Sequence, residues 1–292
     1  MTPAASRTVL RAASCSICSL RDRSVATVTS PVALASTSRL GGSNMLDRRR
    51  LLLAMPACAG LAFTRTAATQ TNDVSRELDR LGKFEIVSGR PGVVIGVPHG
   101  TADNGTLDAG RIVCKRLGVA GVFVTGFWDP KTRQRINVNR PTEQVIGPDS
   151  QVLREWSSDR AVAANARYDE LVRKAAQGRV RVFFELHSNH RPPYVDSIQV
   201  STLGVGRDEA ARFKSAFEGA RDHLAEGVPR LAVNVSPLDR VTFPNFGHAS
   251  TIAKISDKGC AIEHPARVLG NRAWRLAYAE CLADAIRSAP WV

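Results

Sequence analysis

Three short apolar runs, each followed by a residue that can bind metal or carry a proton, constrain the fold of this chain most. They are residues 93–98 before His99, residues 180–186 before His187 and residues 259–262 before Glu263. Runs of this length are typical of strands buried on both faces of a parallel sheet. In an open α/β sheet, ligands bind beyond the carboxyl ends of the strands, so we expect the three polar residues to converge there. Two histidines and a glutamate at one sheet edge suggest a metallohydrolase.

Strand-like and helix-like segments alternate along the chain after residue 73. The pattern predicts helices over 74–83, 105–117, 158–177, 207–225 and 271–288, and strands over 92–98, 119–125, 180–187, 197–203, 230–236 and 259–263. A polar loop is expected before the helix over 158–177, and a long loop near the site is expected over 241–255. This order favours an α/β fold in one domain, residues 69–292, with a mostly parallel sheet covered by helices on both faces.

The first 68 residues are predicted to be a leader that takes no part in the fold. Residues 1–44 are rich in Ser, Thr, Ala and Arg, which is typical of a disordered leader or of a start assigned too far upstream. Residues 45–68 combine an arginine cluster, an apolar run of 13 residues and small residues, as a twin-arginine-type signal peptide does. A membrane-spanning helix needs about 20 apolar residues, so no permanent membrane anchor is expected. The sequence therefore predicts export to the periplasm or the extracellular space.

More than half of the net charge of +13 belongs to this leader, where nine arginines face two aspartates. The rest of the chain has no block of five or six like charges, so nucleic-acid binding is not expected. Its moderate positive charge favours a small anionic substrate or an anionic cell wall. The sequence leaves the oligomeric state open.

Three cysteines follow the leader, at positions 114, 260 and 281, which is too few for a disulfide framework. Cys260 lies inside an apolar strand and is predicted to be a buried free thiol. A bridge between Cys260 and Cys281 after export stays open at this stage.

Catalytic zinc usually takes three protein ligands, drawn from histidine and carboxylate, and leaves a fourth position for water. His99 and His187 are the first two candidates, because each closes a buried strand and opens a polar turn. Asp103 is the candidate third ligand, since a loop can fold back over the four residues that separate it from His99. His190 could replace a ligand, and Asp108 competes with Asp103, although an acid at the start of a helix is explained by the helix dipole.

Glu263 is the candidate general base, because a carboxylate beside an activated water can take its proton and pass it to a leaving nitrogen. Asn139 and Arg140 offer an amide and a planar guanidinium side by side, which suits a substrate carboxylate. Arg135 is a candidate for polarising the scissile carbonyl, with an exposed loop arginine as the alternative. His264 follows Glu263 directly and should point to the other side of the strand, either as a residue that supports the site from behind the ligands or as a structural residue.

These residues together resemble a known family. Pro98-His99-Gly100, the segment 135–140 ending in Asn139-Arg140-Pro141, Glu185-Leu186-His187-Ser188 and Ile262-Glu263 are similar to the successive motifs of the N-formylglutamate amidohydrolase family. The same order also marks the wider zinc carboxypeptidase and succinylglutamate desuccinylase-like group. The resemblance covers roughly residues 90–265 and implies a phosphorylase/hydrolase-like α/β/α sandwich with one zinc ion per chain.

The chain departs from the group at two points. The usual carboxylate ligand lies three residues after the first histidine, where this chain has Ala102, so a different loop must bring in Asp103. Asn137 also stands where the family has an acid two residues before its Asn-Arg pair. The resemblance therefore implies the type of chemistry and leaves the substrate open.

Three functions are consistent with the sequence. The leading one is an exported zinc-dependent amidohydrolase that cleaves an amide bond in an N-acyl amino acid or a short peptide. The second is a carboxypeptidase or cell-wall peptide hydrolase, and the third is a binding protein on a degenerate hydrolase scaffold. Other divalent ions could also occupy a site made of two histidines and a carboxylate.

Overall fold

A computed structural model describes residues 75–148, 151–242 and 249–292. The predicted leader segments, 1–44 and 45–68, lie outside the described residues, and so do residues 243–248 of the loop expected over 241–255. Within the described ranges, no helix combines the length and the apolar character needed to cross a membrane.

The described residues alternate between strands and helices as the sequence pattern predicts. The strands are β1 Gly82–Val87, β2 Arg90–Val97, β3 Val119–Gly126, β4 Trp128–Asp129, β5 Gln134–Asn137, β6 Thr142–Ile146, β7 Val152–Trp156, β8 Val180–Asn189, β9 Ser197–Leu203, β10 Ala232–Val235 and β11 Ser256–Pro265. The helices are α1 (75–81), α2 Thr106–Leu117, α3 Asp159–Ala175, α4 Arg207–Asp222, α5 Thr251–Ile255, α6 Ala266–Gly270 and α7 Arg272–Arg287, with a 3₁₀ turn at Pro192–Tyr194.

Seven of these strands form one sheet in the order β1-β3-β2-β8-β11-β9-β10. Its central block, β3-β2-β8-β11, is parallel throughout. β1 runs antiparallel to β3 at one edge, and β9 runs antiparallel to β11 near the other. The prediction of an α/β fold with a mostly parallel sheet is therefore confirmed. The carboxyl ends of β2, β8 and β11 lie at one edge of the central block, which is where the candidate ligands follow.

Alternation along the strands divides the core between the two faces of this sheet. Val93, Ile95 and Val97 of β2 pack in the cluster that contains residues of α2, α4 and α7. Val94, between them, packs on the opposite face with residues of α3, including Tyr168. Both faces are thus covered by helices, as the continuous apolar runs require.

The segment expected to be a polar loop is instead a second sheet, so that prediction is wrong. β4, β5, β6 and β7 form a four-stranded antiparallel sheet in chain order. Its cross-strand pairs are largely polar, such as Arg135 opposite Gln144 and Asn137 opposite Thr142. A strand pair held by polar contacts lacks the apolar alternation by which strands are recognised in a sequence.

Smaller differences concern the ends of elements. The first helix was expected over 74–83, but helical residues run over 75–81, and β1 begins at Gly82. The expected loop over 241–255 contains α5 at Thr251–Ile255. The short helix α6 also precedes the predicted helix at the end of the chain.

Cys114, Cys260 and Cys281 are all free and buried. The bridge between Cys260 and Cys281 that the sequence left open does not form. Burial raises the pKa of Cys114 and of Cys281 to about 12, and it raises the pKa of Cys260 as well. These thiols therefore act as small apolar side chains of the core.

Candidate metal centre

His99, Asp103 and His187 meet at the carboxyl edge of the central sheet. His187 lies on β8, and His99 follows the end of β2 by two residues. A single backbone turn brings Asp103 back to His99, because the Asp103 N–H donates to the His99 carbonyl oxygen at 2.7 Å. The Thr106 hydroxyl donates to the Asp103 carbonyl at 2.6 Å and holds the end of this turn. Through this turn, a carboxylate four residues after the first histidine reaches the site.

Gly105 allows the turn to lead directly into α2. Its φ of +78° lies in the left-handed region, which favours glycine. A Cβ there would also collide with the carbonyl oxygen of Leu269. The sequence needs glycine at this position to position the turn that carries Asp103.

The spacing of the donor atoms fits one metal ion. Asp103 Oδ2 lies 3.6 Å from His99 Nδ1 and 3.4 Å from His187 Nδ1. One ligand atom from each residue lies within 4.8 Å of the other two, and all three residues are buried. Zinc bonds of about 2.0–2.2 Å in a tetrahedral arrangement separate neighbouring donors by roughly 3.3–3.6 Å. The residues present therefore fit zinc in donor type, and the distances from Asp103 to the two histidines match the spacing of zinc ligands.

The two histidines have opposite electrostatic surroundings. Burial and the positive charge of Arg135 lower the pKa of His99 to about 3. Burial also lowers the pKa of His187, but the close carboxylates of Asp103 and Glu185 outweigh it and raise that pKa to about 10. For Asp103, the contacts with both histidines outweigh burial and hold the pKa well below its usual range. Without metal, the site thus holds a neutral His99 beside an ionised Asp103 and a protonated His187.

Glu185 lies behind His187 and was not predicted as a site residue. Its Oε2 lies 3.5 Å from His187 Nε2, on the side of the ring away from Asp103, and the residue is 1% exposed. A carboxylate behind a ligating histidine fixes the orientation of the ring and raises its basicity. Two signals could have found Glu185: it precedes His187 by two residues on the same strand face, and a carboxylate inside an apolar run is costly to bury.

Asn139, predicted to contact substrate, is 3% exposed and donates from Nδ2 to Glu185 Oε2 at 3.1 Å. It is not among the residues that line the cleft, whereas its neighbour Arg140 is. The two residues predicted to act side by side are therefore separated. Asn139 supports Glu185, and Arg140 faces the cleft.

Arg135 belongs to β5, so the alternative of an exposed loop arginine is wrong. Its Nη1 lies 3.8 Å from Asp103 Oδ1, and its Nη2 donates to Gln144 Oε1 at 2.8 Å. Burial lowers the pKa of this guanidinium from its usual value, and the nearby Asp103 opposes that effect. Arg135 thereby balances the charge of the carboxylate on the oxygen that does not face the histidines.

A cleft of about 260 Å³ opens onto the candidate metal centre. Glu263 lines it, on β11, directly opposite His187 of β8 in the strand register. The three candidate ligands, Arg135 and Arg140 also line the cleft. Parallel strand ends and one edge of the small sheet thus bring together a metal-ligand set, a carboxylate and two guanidinium groups.

The other candidates lie outside the ligand set. His264 is 1% exposed, and burial lowers its pKa to about 4, in keeping with a structural residue. Asp108 is paired with Arg275 at 3.0 Å in the first turn of α2. His190 lines the cleft but is exposed and is not part of the cluster that could hold a metal ion.

No protein-family model and no curated protein matches this chain. Solved structures share its general arrangement at low identity. A bacteriophage poly-gamma-glutamate hydrolase is 13% identical over 71% of this chain and 88% of its own, with a TM-score of 0.43. A gene product of Agrobacterium tumefaciens is 14% identical over 70% of this chain and 94% of its own, with a TM-score of 0.41. An N-acetylmuramoyl-L-alanine amidase of Nostoc punctiforme is 12% identical over 69% of this chain and 97% of its own, with a TM-score of 0.34. Similarity at this level carries no argument about activity, which depends on the site.

Proposed function

We propose that this protein is an exported zinc-dependent amidohydrolase that cleaves an amide bond in an anionic N-acyl amino acid or short peptide. The observation that carries the proposal is the buried set of His99, Asp103 and His187, with zinc-like donor spacing, at the base of a cleft that also holds Glu263. The motif resemblance to the N-formylglutamate amidohydrolase family supports the reaction type. The signal-like segment 45–68 supports export.

His99, Asp103 and His187 would hold the metal. Bound there, zinc supplies a Lewis acid that polarises a carbonyl group and makes water more acidic. Glu185 would keep the His187 ring in the orientation that turns Nδ1 toward Asp103, and Asn139 would keep Glu185 in place. Because Glu185 and Asn139 hold the His187 ring from behind, the ligand geometry would not depend on the substrate.

Glu263 is the proton carrier of the proposed reaction. It lies beside His187 across the strand pair and lines the same cleft, so its carboxylate can reach a water molecule that attacks the substrate carbonyl. It would take a proton from that water and deliver it to the nitrogen of the leaving amine. Arg135, held by Asp103 and Gln144, offers a fixed positive charge to the carbonyl oxygen as negative charge develops on it.

Arg140 is the proposed partner of the substrate carboxylate. It lines the cleft, and the described residues offer its guanidinium no hydrogen bond or ion pair. A planar guanidinium with free donors binds a carboxylate through two parallel hydrogen bonds. This contact would hold the substrate with its amide group near Glu263 and the metal ligands.

The test measures metal content and hydrolysis on the same preparations of the full-length chain. Mass spectrometry should find about one zinc per chain in the wild type and loss of zinc in His99→Ala and His187→Ala. Glu263→Gln should keep the zinc and lower kcat roughly 10²- to 10⁴-fold on the best substrate of an N-acyl amino acid and dipeptide screen. A wild-type protein that holds no metal after incubation with zinc would contradict the proposal.

A further inference from the structure

Asn189 is a buried polar residue of the cleft to which the proposed reaction gives no role. It is the last residue of β8 and lies two positions after His187, so both side chains are on the same face of the strand. It is 5% exposed and lines the cleft together with His187 and Glu263. In the strand register it lies opposite Pro265, two residues beyond the pair formed by His187 and Glu263. Asn189 is therefore two residues further along the strand pair than His187 and Glu263, in the same cleft.

The orientation of the Asn189 amide is fixed by one hydrogen bond. Its Oδ1 accepts the backbone N–H of Arg191 at 3.3 Å, and this contact places the amide nitrogen on the side away from that N–H. Its Nδ2 is buried and has no hydrogen-bond partner within the described part of the chain. Buried donors in native proteins are almost always paired, so an unpaired one in a cleft indicates a group that a ligand completes.

The neighbouring Ser188 provides a useful contrast. Its Oγ is also buried and unpaired among the described residues, and it also lines the cleft. A hydroxyl rotates and can both donate and accept, so it specifies no ligand chemistry. The amide of Asn189 is held in place and presents only donors, so it specifies an acceptor.

We propose that Asn189 Nδ2 donates to a neutral carbonyl oxygen in the acyl part of the substrate, outside the amide bond that is cleaved. This inference rests on the proposed function and narrows its substrate to acyl groups that carry a second carbonyl, as in a short peptide. Asn189 lies on the wall made by β8 and β11, whereas Arg135 comes from the small sheet. A substrate that reaches Arg140 with its carboxylate and Glu263 with its scissile amide can extend its acyl end toward Asn189.

The acceptor is a neutral carbonyl for electrostatic reasons. Arg135 and Arg140 already supply charged donors for a carboxylate, and charged donors bind a carboxylate about twice as strongly as neutral ones. Asn189 is uncharged and shares the cleft with Glu263, whose carboxylate disfavours a second anion nearby. A neutral acceptor satisfies the amide without that repulsion.

The experiment compares two substrates of equal length built on the same amino acid, one with an N-acetylglycyl group and one with an N-pentanoyl group. Only the first has the second carbonyl. The ratio of their kcat/KM values is measured for the wild type, Asn189→Leu, Asn189→Asp and the control Ser188→Ala. Asn189→Asp keeps the size of the side chain and an oxygen for the Arg191 N–H while removing the donor.

The wild type and Ser188→Ala should prefer the acetylglycyl substrate roughly tenfold, as one neutral hydrogen bond would give. Both Asn189 variants should keep the zinc and bring the ratio close to one. The inference is overturned if both variants retain the wild-type ratio, if the wild type shows no preference, or if the preference disappears only together with the zinc. If the zinc-loaded wild type hydrolyses neither of these two substrates nor any other N-acyl test compound, the proposed function itself fails.

Discussion

The two sheets of the molecule contribute to the cleft in different ways. The central sheet supplies His187, Glu185 and Glu263 from strands that are buried on both faces. The small sheet supplies Arg135, and its outer strand β7 is exposed along most of its length, with Leu153 59% exposed. The metal ligands are thus held by close packing, while the cationic contacts come from a sheet in which substitutions are better tolerated.

This difference separates two tasks of a hydrolase. Metal ligands must keep donor distances to within a few tenths of an ångström, which a parallel sheet enclosed by helices can do. Substrate contacts vary with the substrate, and polar strand pairs on an exposed sheet tolerate substitution better than a core does. We therefore expect substitutions of the metal ligands, or of the residue behind His187 in the central sheet, to change metal binding, and substitutions in or beside the small sheet to leave metal binding unchanged.

The largest expected effect comes from Asp103, the ligand that links the two histidines. Asp103→Asn removes the negative charge from the donor set, and the zinc affinity and kcat/KM should both fall by about three orders of magnitude or more, on the order of the loss of a ligand. Asp108→Asn is the matched control, because Asp108 lies on the same segment and pairs with Arg275. Zinc retained in Asp103→Asn, or lost in Asp108→Asn, would mean that the ligand is assigned incorrectly.

The next effect should come from Glu185, behind the ligand. Glu185→Gln should weaken zinc binding roughly 10- to 100-fold, measured by competition with a chromogenic chelator, because the His187 ring loses its charged partner. Glu143 is the matched residue of the small sheet: it is 1% exposed and accepts hydrogen bonds from Arg160 at 2.7 Å. Glu143→Gln should lower the midpoint of thermal unfolding and leave zinc affinity unchanged. Equal zinc affinities in the two variants would remove the distinction between the sheets.

Zinc affinity should also rise with pH, by about tenfold per pH unit between roughly 6.5 and 9. Zinc requires a neutral imidazole, and the raised pKa of His187 keeps that ring protonated in the metal-free protein up to about pH 10. His99 has a pKa lowered to about 3 and exchanges no proton in this range. Chelator competition at several pH values measures the slope, and an affinity independent of pH would contradict the assignment of the proton to His187.

The free energy of unfolding of the metal-free protein should fall as pH rises over the same range. A histidine whose folded-state pKa lies above its unfolded value stabilises the fold fully below about pH 6.5, and that contribution is lost as pH rises toward 10. Urea unfolding of the metal-free protein at increasing pH measures this, with His187→Gln as the control that lacks the dependence.

The smallest effect should come from Arg140, beside the small sheet. Arg140→Ala should raise KM roughly three- to tenfold for a substrate with a free carboxylate, because the cleft is open to solvent and water screens the contact. Zinc content should stay the same, and the matching carboxamide substrate should show little change. A fall in kcat with unchanged KM would show that Arg140 acts on the transition state instead.

Much of the central sheet could be predicted from the sequence. Continuous apolar runs identify β2, β8 and β11, and the geometry of parallel strands places their carboxyl ends together. The approach of His99, His187 and Glu263 to one cleft follows from that alone. The helices of the two faces follow from the apolar periodicity between the strands.

The small sheet could not be predicted, because its strands are short and pair through polar side chains. Arg133 shows the reason: its guanidinium donates to the carbonyl oxygens of Ile146 and Gly147, both at 2.6 Å. Contacts of this kind leave no period in the sequence. Asn139 and Arg140 lie in the turn between β5 and β6, where the Asn139 side chain contacts Glu185 and Arg140 lines the cleft.

The three buried thiols can report the order in which parts of the fold open to solvent. Alkylating reagents react with thiolates, and burial keeps Cys114, Cys260 and Cys281 both protonated and out of contact with solvent. Cys260 lies in the middle of the sheet, whereas Cys114 and Cys281 lie on helices that pack on one of its faces. The order in which the three acquire label would therefore report whether the helices leave the sheet before the sheet itself comes apart.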